Sequence, residues 1–121
     1  MSAAAVGQVL ETRKRGGRVI AVGTTAARTL ESYAAEMGGG GGGVPESIST
    51  RILITPGYGW RWVDGMVTNF HLPRSTLMAM VASRLDAEAG GGLKRLKGAY
   101  ARALAEGFRF YSYGDAMLVL P

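Results

Sequence analysis

Arg18-Val19-Ile20-Ala21-Val22-Gly23-Thr24-Thr25-Ala26-Ala27-Arg28-Thr29-Leu30 is the stretch on which the fold turns. Its first half is apolar and β-branched, lies between Gly17 and Gly23, and predicts a short buried strand over 18–22. Beyond Gly23 the period changes. Ala27, Leu30, Ala34 and Met37 recur at helical spacing while Arg28, Ser32 and Glu36 lie off that stripe, so a helix is expected from Thr24 or Thr25 to about Met37. Either threonine is a candidate N-cap, its hydroxyl accepting from a free backbone N–H. Upstream, Val6, Val9 and Leu10 predict a helix over 3–15, closed by Arg13, Lys14 and Arg15, cations that suit the negative end of the helix dipole. Helix, strand, helix is the grammar of an α/β fold.

Residues 38–47 read as a flexible connector with six consecutive glycines. Ile48 to Thr55 predicts a strand, Pro56-Gly57-Tyr58-Gly59 a turn, Trp60 to Asp64 an alternating stretch, and Met66 to Phe70 a further extended segment. Pro73 and Ser75 mark a helix start, with Ser75 as cap. Leu77 to Leu85 is apolar on nearly every face and predicts a buried central helix. Gly90 to Gly92 reads as a loop. Leu93 to Glu106 follows as an amphipathic helix with Leu93, Leu96, Tyr100 and Leu104 on one side. Phe108 to Tyr113 alternates, Gly114-Asp115 turns, and Ala116 to Leu120 predicts a last strand. The expected architecture is α/β: a small sheet, mixed or mainly parallel, with flanking helices, in one domain spanning 1–121.

A chain of 121 residues is one domain's worth. It holds no cysteine, which excludes disulfides, thiol nucleophiles and thiolate metal sites, and its one histidine excludes a His-rich metal site. No apolar stretch approaches the ~20 residues of a membrane span, and the first residues lack the charged-then-apolar pattern of a signal peptide. A cytoplasmic protein with no membrane partner is expected. Fourteen Lys and Arg against nine Asp and Glu give a net charge of +5, which suggests an anionic partner such as nucleic acid.

Two polar groupings invite chemistry. At the strand–Gly23-Thr24-Thr25–helix junction, free N–H groups favour a phosphate or carboxylate, with Arg28 one turn further on; the plainer reading is a capped helix with a surface arginine. Asn69, His71, Arg74, Ser75 and Thr76 surround a strand end and a helix start. There His71 is either a general acid or base or a structural histidine beside a cap. Tyr58, Trp60 and Trp62 offer stacking surfaces, but core packing is the simpler account.

Three motif groups together resemble one family. The first is Val19-Ile20-Ala21-Val22-Gly23-Thr24-Thr25 with Arg28-Thr29-Leu30-Glu31-Ser32. The second is Pro56-Gly57-Tyr58, Val63-Asp64 and Thr68-Asn69-Phe70-His71-Leu72-Pro73-Arg74-Ser75-Thr76-Leu77. The third is Tyr100 with Phe108-Arg109-Phe110-Tyr111-Ser112-Tyr113-Gly114-Asp115-Ala116-Met117-Leu118. In order and spacing they resemble the C-terminal part of the S-adenosylmethionine:tRNA ribosyltransferase-isomerases of queuosine biosynthesis, a longer two-domain family. That resemblance implies transfer and isomerisation of the ribosyl moiety of S-adenosylmethionine onto 7-aminomethyl-7-deazaguanine in tRNA, giving epoxyqueuosine, with no metal. It implies that Thr24, Thr25, Arg28, Asn69, Arg74, Ser75, Thr76 and Tyr113 bind substrate, that Arg28 and Arg74 hold phosphate or the methionine carboxylate, and that His71 and Asp115 are catalytic. It also implies tRNA as partner, and an N-terminal portion in cis or in trans, without which this chain should be weakly active or inactive. The alternatives are a non-catalytic tRNA- or nucleotide-binding module, and a structural domain that works only when paired with that portion.

Overall fold

A computed structural model describes residues 1–39, 43–86 and 91–121. Ser2 opens α1 (Ala3–Lys14), its side chain accepting from Ala5 N, and the chain crosses to β1 (Ile20–Val22). Gly23 then turns directly into α2 (Thr24–Met37) with φ +92°, a left-handed conformation that a side chain would strain. After a long crossover come β2 (Gly65–Asn69), α3 (Thr76–Arg84), α4 (Gly91–Ala105) and β3 (Ala116–Val119). The sheet has the order β1-β2-β3 and is mixed: β1 pairs parallel with β2, Val22 opposite Val67, and β3 pairs antiparallel with β2, Leu118 opposite Val67.

Strand alternation sends Ala21, Met66 and Val119 into the main core, where they meet Met80 and Val81 of α3 and Leu96 and Tyr100 of α4. Phe70 stacks on Phe110 at 4.8 Å and meets Tyr100 edge-on, sealing the end of that core. A second cluster joins Val6 of α1 to Tyr33, Ala34 and Trp62. On the opposite face of the sheet, Val22 and Leu118 flank Val67 and stand 74% and 60% exposed, an apolar row with no cover among the described residues.

Between the crossover and β2, one buried side chain organises the chain. Glu31 is fully buried, and its two oxygens accept from Arg61 N (2.9 Å), Trp62 N (2.8 Å), Val63 N (2.9 Å) and the Tyr58 hydroxyl (3.0 Å). Burial, reinforced by the charge of Glu31 and the bond to it, pushes the Tyr58 phenol up to about 12. Arg84 sits over the Trp60 ring at 5.5 Å and donates to Asp64 O, tying α3 to the same segment.

Several expected elements differ. No strand forms over 48–55 or 60–64. There the backbone finds side-chain partners: Thr50 Oγ1 accepts from Ile52 N, Arg28 donates to Ile52 O, and Glu31 takes the N–H groups of 61–63. Gly65, between two segments read as separate, begins β2, where a Cβ would collide with Ile20 and Leu120. The alternating stretch 108–113 is a turn, because Asp115 accepts from Arg109 N through its carboxylate while Asp115 N donates to Arg109 O. Gly91 and Gly92 open α4 rather than a loop, and Gly92 lies where a Cβ would meet Ala82 O of α3. Residue 90 and the centre of the connector at 40–42 lie outside the described residues. The buried stripe of α4 is Gly92, Leu96, Tyr100 and Ala103, leaving Leu93 and Leu104 exposed.

Candidate functional site

A cleft of about 420 Å³ opens at the carboxyl ends of β1 and β2, the edge at which open α/β sheets bind ligands. The start of α2 forms one wall. Gly23 holds the cap position, its N–H donating to Val67 O at 2.8 Å, and no side chain caps the helix. Neither Thr24 nor Thr25 is therefore the N-cap; both stand in the first turn and line the cleft. The first N–H groups of a helix have no intrahelical acceptor, and the dipole adds partial positive charge there, so this wall suits an anionic or acceptor-rich group.

The end of β2 forms the floor. Asn69 donates from Nδ2 to Asp115 O at 3.1 Å. His71 is held at two points: its backbone N–H donates to the Tyr100 hydroxyl at 2.8 Å, and its Nε2 lies 2.7 Å from Thr68 Oγ1. Burial pushes the imidazole below its ordinary pKa, favouring the neutral ring. Burial also raises the Tyr100 phenol, keeping it a hydroxyl. Ser75 closes this side, accepting from Met78 N at 3.2 Å as the cap of α3 and donating to Leu72 O. Tyr111 and Ser112 complete the lining, and Tyr111 N donates to Phe70 O. Tyr111 has φ +69°, a left-handed turn unusual for an aromatic residue.

The structure thus brings together Thr24, Thr25, Asn69, His71 and Ser75. The other expected site residues stand apart. Arg28 donates to Ile52 O and shares a small cavity of about 110 Å³ with Thr76 and Met80. Arg74 (φ +61°) is exposed and lines a separate groove of about 540 Å³ over α3 and α4, with Lys97. Tyr113 is 99% exposed. The Asp115 carboxylate is taken by Arg109, whose hydrogen bonds hold it below the usual carboxylate range; it reaches the cleft only through its main-chain oxygen on Asn69. Thr68 and Ser112 line the cleft without having been singled out as site residues; of the polar-tipped group Tyr111, Tyr113 and Asp115, which the sequence offers as either a lining or an ordinary edge, Tyr111 lines it. Thr68 carried a signal, since it stands one strand position before Asn69 and three residues before His71. Among the described residues no three His, Cys, Asp or Glu side chains are grouped to hold a metal ion, and no helix is long and apolar enough to cross a membrane.

The family model described as queuosine biosynthesis protein matches residues 1–119. Over 119 residues the chain is 50% identical to the S-adenosylmethionine:tRNA ribosyltransferase-isomerase of Synechococcus elongatus, covering 98% of this chain and 30% of that relative. Over 117 residues it is 53% identical to the protein of the same name from Thiobacillus denitrificans, covering 97% of this chain and 31% of the relative. Its fold is similar to the crystal structure of the S-adenosylmethionine tRNA ribosyltransferase of Thermotoga maritima, with a TM-score of 0.79 and 41% identity over 98% of this chain and 39% of that one. The chain therefore spans about 30% of the length of the curated relatives it matches.

Proposed function

This chain belongs to the queuosine biosynthesis protein family, and on that footing we propose that it builds one wall of the S-adenosylmethionine site of a tRNA ribosyltransferase-isomerase. The whole enzyme would transfer and isomerise the ribosyl moiety onto 7-aminomethyl-7-deazaguanine in tRNA, yield epoxyqueuosine, and release adenine and methionine. One observation carries the reading: the uncapped start of α2 and the doubly held His71 face one cleft at the strand ends.

The backbone N–H groups of the first turn, with the Thr24 and Thr25 hydroxyls, hold an anionic or acceptor group of the donor, for which the methionine carboxylate is the natural choice. Asn69, His71 and Ser75 then face the ribosyl portion, and His71 is the titratable group closest to the reacting atoms. Arg28, Arg74, Thr76 and Tyr113 lie outside the cleft and suit the tRNA side, where exposed cations meet backbone phosphates. Asp115 acts on the cleft through Asn69 rather than on substrate directly. The enzyme works in the cytoplasm, where its tRNA is.

Catalysis needs all the groups of a site held at once, so this chain acts together with the rest of the family's fold, in cis or in trans. The exposed Val22 and Leu118, on either side of half-buried Val67, support that pairing. The test is adenine release from S-adenosylmethionine in the presence of tRNA bearing 7-aminomethyl-7-deazaguanine. It is run on this chain alone and with the remaining family polypeptide added. Release only in the second case is expected. Release by the chain alone would refute the dependence on pairing. Silence in both, with the two polypeptides shown to be folded and bound, would refute the enzyme and leave a binding module.

A further inference from the structure

We propose that Thr68 sets the tautomer of His71, so that the neutral ring carries its proton on Nδ1 and meets the bound ligand as a hydrogen-bond donor. Thr68 is 5% exposed, and its hydroxyl lies 2.7 Å from Nε2. A hydroxyl proton buried in protein needs an acceptor, and the Thr68 hydroxyl has no other side-chain or backbone partner among the described residues. Were Nε2–H the donor instead, the Thr68 proton would have no protein acceptor among the described residues and would depend on water in the cleft. Donation from Thr68 to Nε2 satisfies both atoms and places the ring proton on Nδ1.

The rest of the contact set fixes the ring in that sense. The bond from His71 N to the Tyr100 hydroxyl pins the backbone, and the Thr68 bond pins the far edge of the ring. Nδ1 is then the edge left to interact in a residue that lines the cleft. The opposite wall offers N–H groups of α2 as well. Both walls present donors, so the complementary ligand surface is rich in acceptors: carboxylate, hydroxyl or ring-nitrogen lone pairs. In this arrangement neutral His71 does not serve as a general base, because its lone pair is occupied by Thr68. Thr68 is a positioning residue, and its role in catalysis rests on the proposed ribosyl-transfer reading, whereas the tautomer does not.

The chain contains a single histidine, so its imidazole resonances are assigned without ambiguity. Nitrogen and carbon NMR of labelled histidine in this chain, at a pH well above the ring's titration, reports the tautomer. The wild type is expected in the Nδ1–H form. Thr68→Val is expected to revert to the Nε2–H form that free imidazole favours, and Thr68→Ser to retain Nδ1–H. A wild type in the Nε2–H form overturns the proposal even if no variant folds, and a folded Thr68→Val with an unchanged tautomer overturns the part given to Thr68. In the adenine-release assay of the paired protein, His71→Asn, whose amide N–H falls near Nδ1, is expected to keep about tenfold more activity than His71→Gln, whose N–H falls near Nε2. Equal loss would overturn the donor role while leaving the reaction intact. Absence of adenine release from the wild type would sink the reaction and leave the tautomer result standing.

Discussion

Replacing Glu31 by alanine should unfold most of what connects α2 to β2. Four donors converge on this side chain, and two of them, Trp62 N and Val63 N, are fully buried bonds. A hydrogen bond to a charged acceptor contributes about 1.5–3 kcal/mol, and a buried donor left unpaired forfeits it in full. The two buried N–H groups alone therefore amount to roughly 3–6 kcal/mol. Arg61 N and the Tyr58 hydroxyl are part-buried and recover much of their loss from water. Set against the about 5–15 kcal/mol that a domain of this kind holds in total, Glu31→Ala removes a large fraction of the stability. Urea unfolding followed by tryptophan fluorescence measures it, since both Trp60 and Trp62 lie in the affected segment. A second readout comes from Tyr58: with Glu31 gone, two of the three causes of its raised pKa vanish, and its phenolate titration should move down from about 12 while remaining elevated by burial. A loss under about 0.5 kcal/mol, within the range of an ordinary surface change, together with an unmoved Tyr58, would refute the view that Glu31 clasps this segment.

Two further outcomes follow from named contacts. The His71 pKa is lowered by burial, so the unfolded chain binds a proton more readily than the folded one; stability contributed by the neutral ring is complete above the ordinary value of 6.5 and declines as pH falls below it. Titration of the single histidine by NMR, beside unfolding at stepped pH, checks both the direction and the window; a pKa above 6.5 would reverse the sign. Gly92→Ala places a methyl group against Ala82 O where α4 approaches α3. It should destabilise by about 1–3 kcal/mol, as overpacking does, and an unchanged urea midpoint would show that the helices separate freely.

The elements that sequence periodicity identified are those whose partners are local or whose pattern admits one reading. β1 and α2 are bounded by Gly23, and the Ser75 cap sits where an N-cap residue before an apolar run must sit. The segment 48–55 carries strand-like residues, but a strand exists only beside a partner. Here Arg28 and Thr50 take the backbone groups of Ile52 that a partner would have used. Alternation over 108–113 was overridden by Asp115, whose carboxylate reaches back to Arg109 N. In the site, the strand-end and helix-start clusters were legible because chain continuity alone brings Asn69, His71 and Ser75 close. Arg28, Arg74 and Tyr113 were not placed by it, since long or exposed side chains choose partners that spacing does not reveal. Glu31 did leave a trace: it stands four residues after Ala27 and three before Ala34, on the apolar stripe of α2. A carboxylate in that position must find buried donors.

The parallel pairing of β1 with β2 closes a long chain segment, the whole stretch between Val22 and Gly65, and the glycine run at 38–43 lies inside it. Closure entropy grows only with the logarithm of such a segment's length. Inserting six more residues into the run would cost only about 0.1–0.2 kcal/mol. The bonds from Glu31 to residues 61–63 span the same run, so one side chain ties α2 to the far end of the crossover beside the strand pairing. The crossover can therefore lengthen or shorten over evolutionary time with little penalty to folding, while the clasp at its far end stays where it is.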